Sequence, residues 1–166
     1  MAHPHLVRVL PARRLVVSGP AERALATAVA SIVAEKFVQR SAPGAIPAIF
    51  EYGSVFQVLL DGVGGLGLLP GRIGKHAWMV VDSAGEGENT AITIAHVLGL
   101  GAASSVRLAV ERARAAVETA GVLVSVSDPI SSHDLPAESP GNPATFRSSG
   151  YLSAGYLSAL GRWLTS

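Results

Sequence analysis

The chain has 166 residues, enough for one compact domain, and carries a net charge of only +1. Charged residues make up 15% of it, against about 25% in an ordinary soluble domain. The near-neutral charge gives no electrostatic attraction to nucleic acid, and no stretch offers the roughly 18 uncharged apolar residues of a membrane-spanning helix. The shortage of charge predicts that a partner covers part of the surface, most simply other copies of the same chain.

The sequence contains no cysteine, so disulfides, thiolate nucleophiles and thiolate metal sites are excluded. The N-terminal residues lack the apolar core of a secretory signal peptide. We therefore expect a cytoplasmic protein, or part of a non-secreted particle. No cofactor motif or metal-ligand set is evident, and we expect neither a cofactor nor a metal.

The first half of the chain predicts two short strands, a helix and a longer strand. Residues 5–10 and 14–18 have the composition of strands. Residues 20–40 have apolar side chains at helical spacing after a Ser-Gly-Pro start. The β-branched and aromatic residues from Ile49 to Leu60 favour a strand with a bend at Gly53. The glycine-rich stretch at 61–71 is incompatible with a regular element.

The second half predicts two strands, a helix and a further strand. The segment "HAWMVVD" has the composition of a buried strand, and "TAITIAHVL" alternates as a strand does. Ser104 is expected to cap an amphipathic helix that runs to Ala120, with Gly121 as its stop. The segment "VLVSVS" then alternates as a strand.

The C-terminal part reads as a polar arm followed by an anchoring helix. Residues 127–150 contain four prolines and few large apolar side chains. Residues 151–166 carry an apolar stripe at helical spacing. Such a tether and anchor predict an arm that docks on a neighbouring subunit, although it could also fold back over its own sheet. The predicted interface residues are Tyr151, Leu152, Tyr156, Leu160 and Trp163.

This order of elements predicts an α+β or mixed α/β fold, with two main amphipathic helices on one sheet. The expected organisation is a core at 1–126, a Pro-rich arm at 127–150 and a short terminal helix at 151–166. Together these parts form a single domain.

The acidic loop at 82–90 has a Gly-x-Gly sequence but no third glycine and no lysine. Glu86 and Glu88 would repel a phosphate. Asp82, Glu86, Glu88 and Asn89 could offer oxygen ligands to a divalent cation, but their spacing matches no calcium loop. The favoured interpretation is an exposed turn between two strands.

The sequence offers a few candidates for acid–base chemistry. Asp82 and His96 could form a pair if their segments are adjacent strands, although a lone histidine on an apolar strand is more often a core residue. His133 lies between Ser132 and Asp134, but three consecutive residues cannot easily form a relay. Arg72 and Lys75 follow the glycine-rich stretch at 61–71 and could hold an anionic ligand with its backbone N–H groups. The glycines and leucines of this stretch favour a close-packed contact between subunits instead.

Two functions follow from these patterns. The first is a self-associating structural or assembly subunit of a ring or shell, whose partners are its own copies and possibly other assembly proteins. The second is a small oligomeric enzyme that acts on an anionic small molecule by acid–base chemistry. The low charge and the tethered anchor favour the first.

Overall fold

The computed structural model describes residues 10–53, 76–99 and 102–152. They form one antiparallel sheet with two long helices and a short one. The strands are β1 (Pro11–Ser18), β2 (Val38–Gln39), β3 (Ala48–Tyr52), β4 (Ala77–Glu86), β5 (Asn89–Leu98), β6 (Leu123–Val126) and β7 (Ile130–Ser131). The helices are α1 (Glu22–Ala34), α2 (Ala103–Thr119) and α3 (Pro143–Ser148), with a 3-10 turn at Ser132–Asp134.

The strand order is β2-β3-β4-β5-β1-β6, and β7 also pairs with β1. The elements β1, α1, β4, β5, α2 and β6 make the βαββαβ arrangement of split βαβ folds, with β1 and β5 at its centre. The β2–β3 hairpin is inserted after α1 and extends the sheet beyond β4. The predicted fold class, one sheet with two main helices, is confirmed.

One side of the sheet, the helix face, packs against α1 and α2. Successive strand residues point to opposite sides, so alternate residues such as Leu15 and Val17 of β1 reach this core. Helix α2 contributes five buried residues at helical spacing: Val106, Ala109, Val110, Ala113 and Val117. The sequence assigned the same five to the inner face of this helix.

The other side of the sheet, the arm face, is covered by the chain after β6. Phe146 of α3 is buried there against Trp78, with ring centroids 5.9 Å apart. Gly141 lies so close to Ala95 that an added Cβ would meet the Ala95 Cβ at 2.9 Å. Asn142 connects two parts of the arm. Its Nδ2 donates to the Leu135 carbonyl, and its Oδ1 accepts from the Ala144 N–H and so caps α3.

The arm is therefore more structured than its composition predicted. Residues 127–150 include β7, the 3-10 turn and α3, and they pack on the sheet of their own chain. Four prolines suggested a tether, but proline at the first turn of α3 and an Asn cap are the signals of a short helix. Most of the predicted terminal helix, residues 153–166, lies outside the described residues, as do residues 5–9 of the first predicted strand.

Both long helices differ from the prediction at an end. Helix α1 ends at Ala34 instead of continuing to 40, because Lys36 takes a left-handed φ of 70°. Phe37 leaves the helix but stays buried beside Tyr52. Ser104 lies inside α2, whose N-terminal cap position is Ala102 and has no side-chain cap.

The two outer strands of the described sheet are short or irregular. β2 has only two residues. In β6, Ser125 and Leu123 pair with the adjacent residues Val16 and Val17, so Val124 is an extra residue in a bulge. Val124 is 55% exposed.

Candidate functional site

The acidic loop predicted at 82–90 is shorter in the structure, because residues 82–86 belong to β4 and residues 89–90 to β5, and only two residues form the turn of the hairpin. Glu86 pairs with Asn89, and Gly87 and Glu88 form a two-residue turn in which Gly87 has a φ of 63°. Positive φ at the first central residue is why glycine is favoured there. Glu86 also forms an exposed ion pair with Arg14 at 3.2 Å. The exposed turn predicted from the sequence is confirmed.

Asp82 and His96 lie on adjacent strands but point to opposite faces of the sheet. His96 pairs with Met79 of the helix-face core, whereas Asp82 pairs with Thr93 and shares the arm face with Val80. His96 is fully buried, and its Nε2 donates to the Leu98 carbonyl at 3.0 Å. The structure does not bring the two side chains together as an acid–base pair.

Burial raises the pKa of Asp82, an effect that the Ser83 backbone N–H partly offsets. His133, the third catalytic candidate, is exposed in the 3-10 turn, with its backbone N–H bonded to Ser131 Oγ. Arg72 and Lys75 lie outside the described residues. Within the described ranges, no three His, Asp or Glu side chains are grouped so that they could hold a metal.

Two of the predicted interface residues are described, and both contact their own chain. The Tyr151 ring stacks on Phe146 with centroids 6.1 Å apart, and Tyr151 remains 39% exposed. Leu152 packs against the arm-face cluster. Tyr156, Leu160 and Trp163 lie outside the described residues.

Sequence reasoning missed a buried ionic cluster at the arm face, centred on Glu51 of β3. Its Oε2 accepts a hydrogen bond from Arg40 Nε at 2.7 Å and lies 2.6 Å from Arg40 Nη2 in an ion pair, and its Oε1 accepts from His76 Nε2 at 3.0 Å. Burial acts to raise the pKa of Glu51, but the hydrogen bonds from His76 and Arg40 outweigh it and hold the pKa below the usual range. A lone glutamate inside the apolar segment "AIFEY" was the available signal, because a buried carboxylate needs partners.

A second missed feature is an apolar groove on the helix side of the molecule, which we call the α1 groove. One wall is α1, the other is the loop between β2 and β3, and the cavity volume is about 670 Å³. Its lining is mostly apolar and small, with Glu22, Gln39 and Ser83 as the polar members. The apolar lining includes Leu25, Ala26, Val29, Ala30, Pro43, Ala45 and Ile46.

The surface beside this groove is also apolar. Ala26 and Ala30 are exposed, and Val33, on the same side of the helix, is 46% exposed. Ile46 on the opposite wall is 44% exposed. The signal in the sequence was a helix with no charged residue between Arg23 and Glu35.

A comparison with protein-family models, with curated proteins and with solved structures returned no match, so the function has to follow from the chain's own geometry. Among the helices in the described part of the chain, none has the length and apolar character needed to cross a bilayer.

Proposed function

We propose that the chain is a self-associating subunit of a homo-oligomeric assembly, and that the α1 groove with its apolar rim is the surface that meets a second copy. The observation that carries the proposal is the exposed stretch of α1 from Ala26 to Val33, which carries no charged side chain. Contiguous exposed apolar surface on a folded domain is typical of an interaction site.

The two long helices differ in a way that supports this choice. Both cover the same core, but the outer side of α2 carries Arg107, Glu111, Arg112, Arg114 and Glu118. Arg114 forms ion pairs with Glu111 and Glu118 along the helix. The outer side of α1 carries Glu22 and Arg23 in its first turn, but from Ala24 to Ala34 it carries only alanine, valine, serine and threonine. A helix that faces only water gains solubility from charge, whereas a helix in an interface core is depleted of it.

The small side chains explain how a copy could approach. Ala26 and Ala30 let a facing backbone come close, and Val33 and Ile46 supply larger apolar contacts on either wall. A two-fold arrangement would place the same surface of each copy against the other. A stable contact of this kind buries about 800 Å² on each partner.

Light scattering and sedimentation equilibrium test the proposal. We expect the wild-type protein to show a mass above the 17.0 kDa of one chain at micromolar concentration. Ala30→Arg places a charge in the groove rim and should shift the mass to that of one chain. Ala144→Arg, an exposed alanine in α3 on the other side of the sheet, is the matched control and should leave the mass unchanged.

A wild-type mass of one chain at these concentrations would refute self-association. An equal response to Ala30→Arg and Ala144→Arg would leave self-association standing but remove the α1 groove as its surface. The tail residues Tyr156, Leu160 and Trp163 remain predicted contacts, to be tested by the same measurement.

The ring or shell form, the presence of other assembly proteins and the cytoplasmic location belong to the same proposal. The enzyme alternative gains no specific support. The two residues proposed as its acid–base pair, Asp82 and His96, point to opposite faces of the sheet, and His133 is exposed on the arm.

A further inference from the structure

We propose that Glu51 is a positioning residue for the α1 groove: its carboxylate, on the arm face, holds the β2–β3 loop that forms one groove wall on the helix side. This inference rests on the proposed function, because it names what keeps that contact surface in shape. It assigns a role to a buried charged group that the fold alone does not require.

The carboxylate is anchored on both oxygens. Arg40 Nε donates a hydrogen bond to Oε2 at 2.7 Å, Arg40 Nη2 forms an ion pair with the same oxygen at 2.6 Å, and His76 Nε2 lies 3.0 Å from Oε1. Glu51 is only 7% exposed, whereas the Arg40 side chain is 39% exposed, so water is excluded from the carboxylate more than from the guanidinium. Charge-assisted hydrogen bonds of this kind are stronger and more directional than those between neutral groups. The cluster therefore fixes Arg40, the first residue after β2, relative to β3.

The loop is connected to this anchor through consecutive contacts. The Arg40 N–H donates to the Ile49 carbonyl at 2.7 Å, and the Ile49 N–H donates to Ser41 Oγ at 3.1 Å. Gln39 Nε2 donates to Ser41 Oγ at 3.3 Å and to the Ala42 carbonyl at 3.2 Å. The next four residues, 43–46, are the groove wall.

Little else in the described structure holds this edge. β2 is two residues long and pairs only with β3. Within the loop, one backbone hydrogen bond joins the Ala45 N–H to the Ala42 carbonyl. Segments with few buried contacts open locally at low free energy. Removing the charge of Glu51 should therefore loosen the wall before it affects the rest of the sheet.

The test is Glu51→Gln in the full chain, with two measurements. Sedimentation equilibrium should show self-association about tenfold weaker, a size typical of residues that act on a site through others. Hydrogen exchange should accelerate at the amides of residues 42, 44, 45 and 46. Arg40→Lys keeps the positive charge but loses the two-pronged contact, and it should give a smaller change of the same sign.

The control is Val117→Ala, which removes buried volume from α2 in the helix-face core. It should lower the melting temperature while leaving both the association constant and exchange in the loop unchanged. Lower thermal stability in Glu51→Gln with unchanged association and unchanged loop exchange would overturn the inference.

The two proposals can fail separately. Exchange in the loop is also measured in the Ala30→Arg background, which is expected to be a single chain. If the wild-type protein does not associate, the proposed function fails. The positioning role would still be supported if loop exchange is faster in Glu51→Gln/Ala30→Arg than in Ala30→Arg alone. If the wild-type protein associates and Glu51→Gln does not weaken it, only the positioning role fails.

Discussion

The two faces of the sheet bury apolar residues in different ways. Among the described residues, the helix-face cluster contains 20 buried residues, nearly all from the two long helices and four strands. The arm-face cluster contains seven, and only Phe146 of these comes from the arm that covers the sheet. The helix face is the larger core, whereas the arm face is a small contact made by one irregular segment. We therefore expect the first to set the global stability and the second to open locally.

The largest expected effect comes from breaking the helix-face core. Ile94→Ala removes a fully buried side chain of β5 and should cost about 2–5 kcal/mol of unfolding free energy. Phe146→Ala on the arm face should cost well below the roughly 3–5 kcal/mol typical of a buried phenylalanine, because the arm can detach alone. Urea titrations followed by circular dichroism provide both values.

The same titrations distinguish global from local opening. With Trp163→Phe as background, Trp78 is the remaining tryptophan, and it contacts Phe146. In Ile94→Ala, the Trp78 fluorescence and the circular dichroism should change at the same urea concentration. In Phe146→Ala, the Trp78 fluorescence should change at a lower urea concentration than the circular dichroism. Coincident transitions in Phe146→Ala would show that the arm and the helix-face core form one cooperative unit.

The same contrast explains what the sequence could predict. The inward residues of α2 and the strand alternation of β5 follow from periodicity, since a long element on a broad core repeats its apolar positions. The arm has no repeat. Its docking depends on one phenylalanine, one glycine and one asparagine cap, which are single-residue signals in a polar composition.

The candidate sites were harder to predict than the fold. The opposite orientations of Asp82 and His96 depend on the pairing register, which the sequence of either strand does not specify. The Glu51 cluster brings together residues 40, 51 and 76, which are far apart in the sequence. No local sequence pattern predicts that these three side chains are in contact. The uncharged side of α1 was visible in the sequence, but its apolar residues predicted only a helix until the groove beside it was known.

A smaller effect is expected where the arm approaches the sheet most closely. Gly141→Ala would place a Cβ 2.9 Å from Ala95 Cβ and 3.0 Å from Leu135 Cδ1. Overpacking of this kind costs about 1–3 kcal/mol. Gly85→Ala is the matched control, since nothing lies within 4 Å of its added Cβ. Equal stability of the two variants in thermal melts would show that the arm shifts to admit a methyl group without cost.

The smallest expected effect is a difference in pH dependence between two acids of the arm face. The pKa of Glu51 is lowered in the fold, so its stabilising contribution is present above the usual glutamate range and is lost as pH falls through the folded pKa. The pKa of Asp82 is raised, so the fold favours its protonated form and loses that contribution as pH rises through the folded pKa.

The two neutral substitutions should therefore change the unfolding free energy in opposite directions at pH 7. Glu51→Gln should lower the unfolding free energy, by an amount that shrinks on acidification. Asp82→Asn should raise it slightly, and this gain should vanish below the usual aspartate range. Urea titrations across pH 3–8 measure both, and a gain in Asp82→Asn that persists at the acid end would rule out titration as its cause.

The irregular outer strands of the described sheet limit how far the proposed self-association can extend. A long, straight strand at the border of a sheet is a template on which further chains can add without limit, which is the geometry of amyloid growth. Within the described sheet, β2 is too short to serve as a template, and the extra residue at Val124 disrupts the spacing that β6 would offer. A chain this poor in charge has little electrostatic repulsion to keep its copies apart. If the chain self-associates as proposed, the bulge at Val124 favours a closed assembly over a fibre.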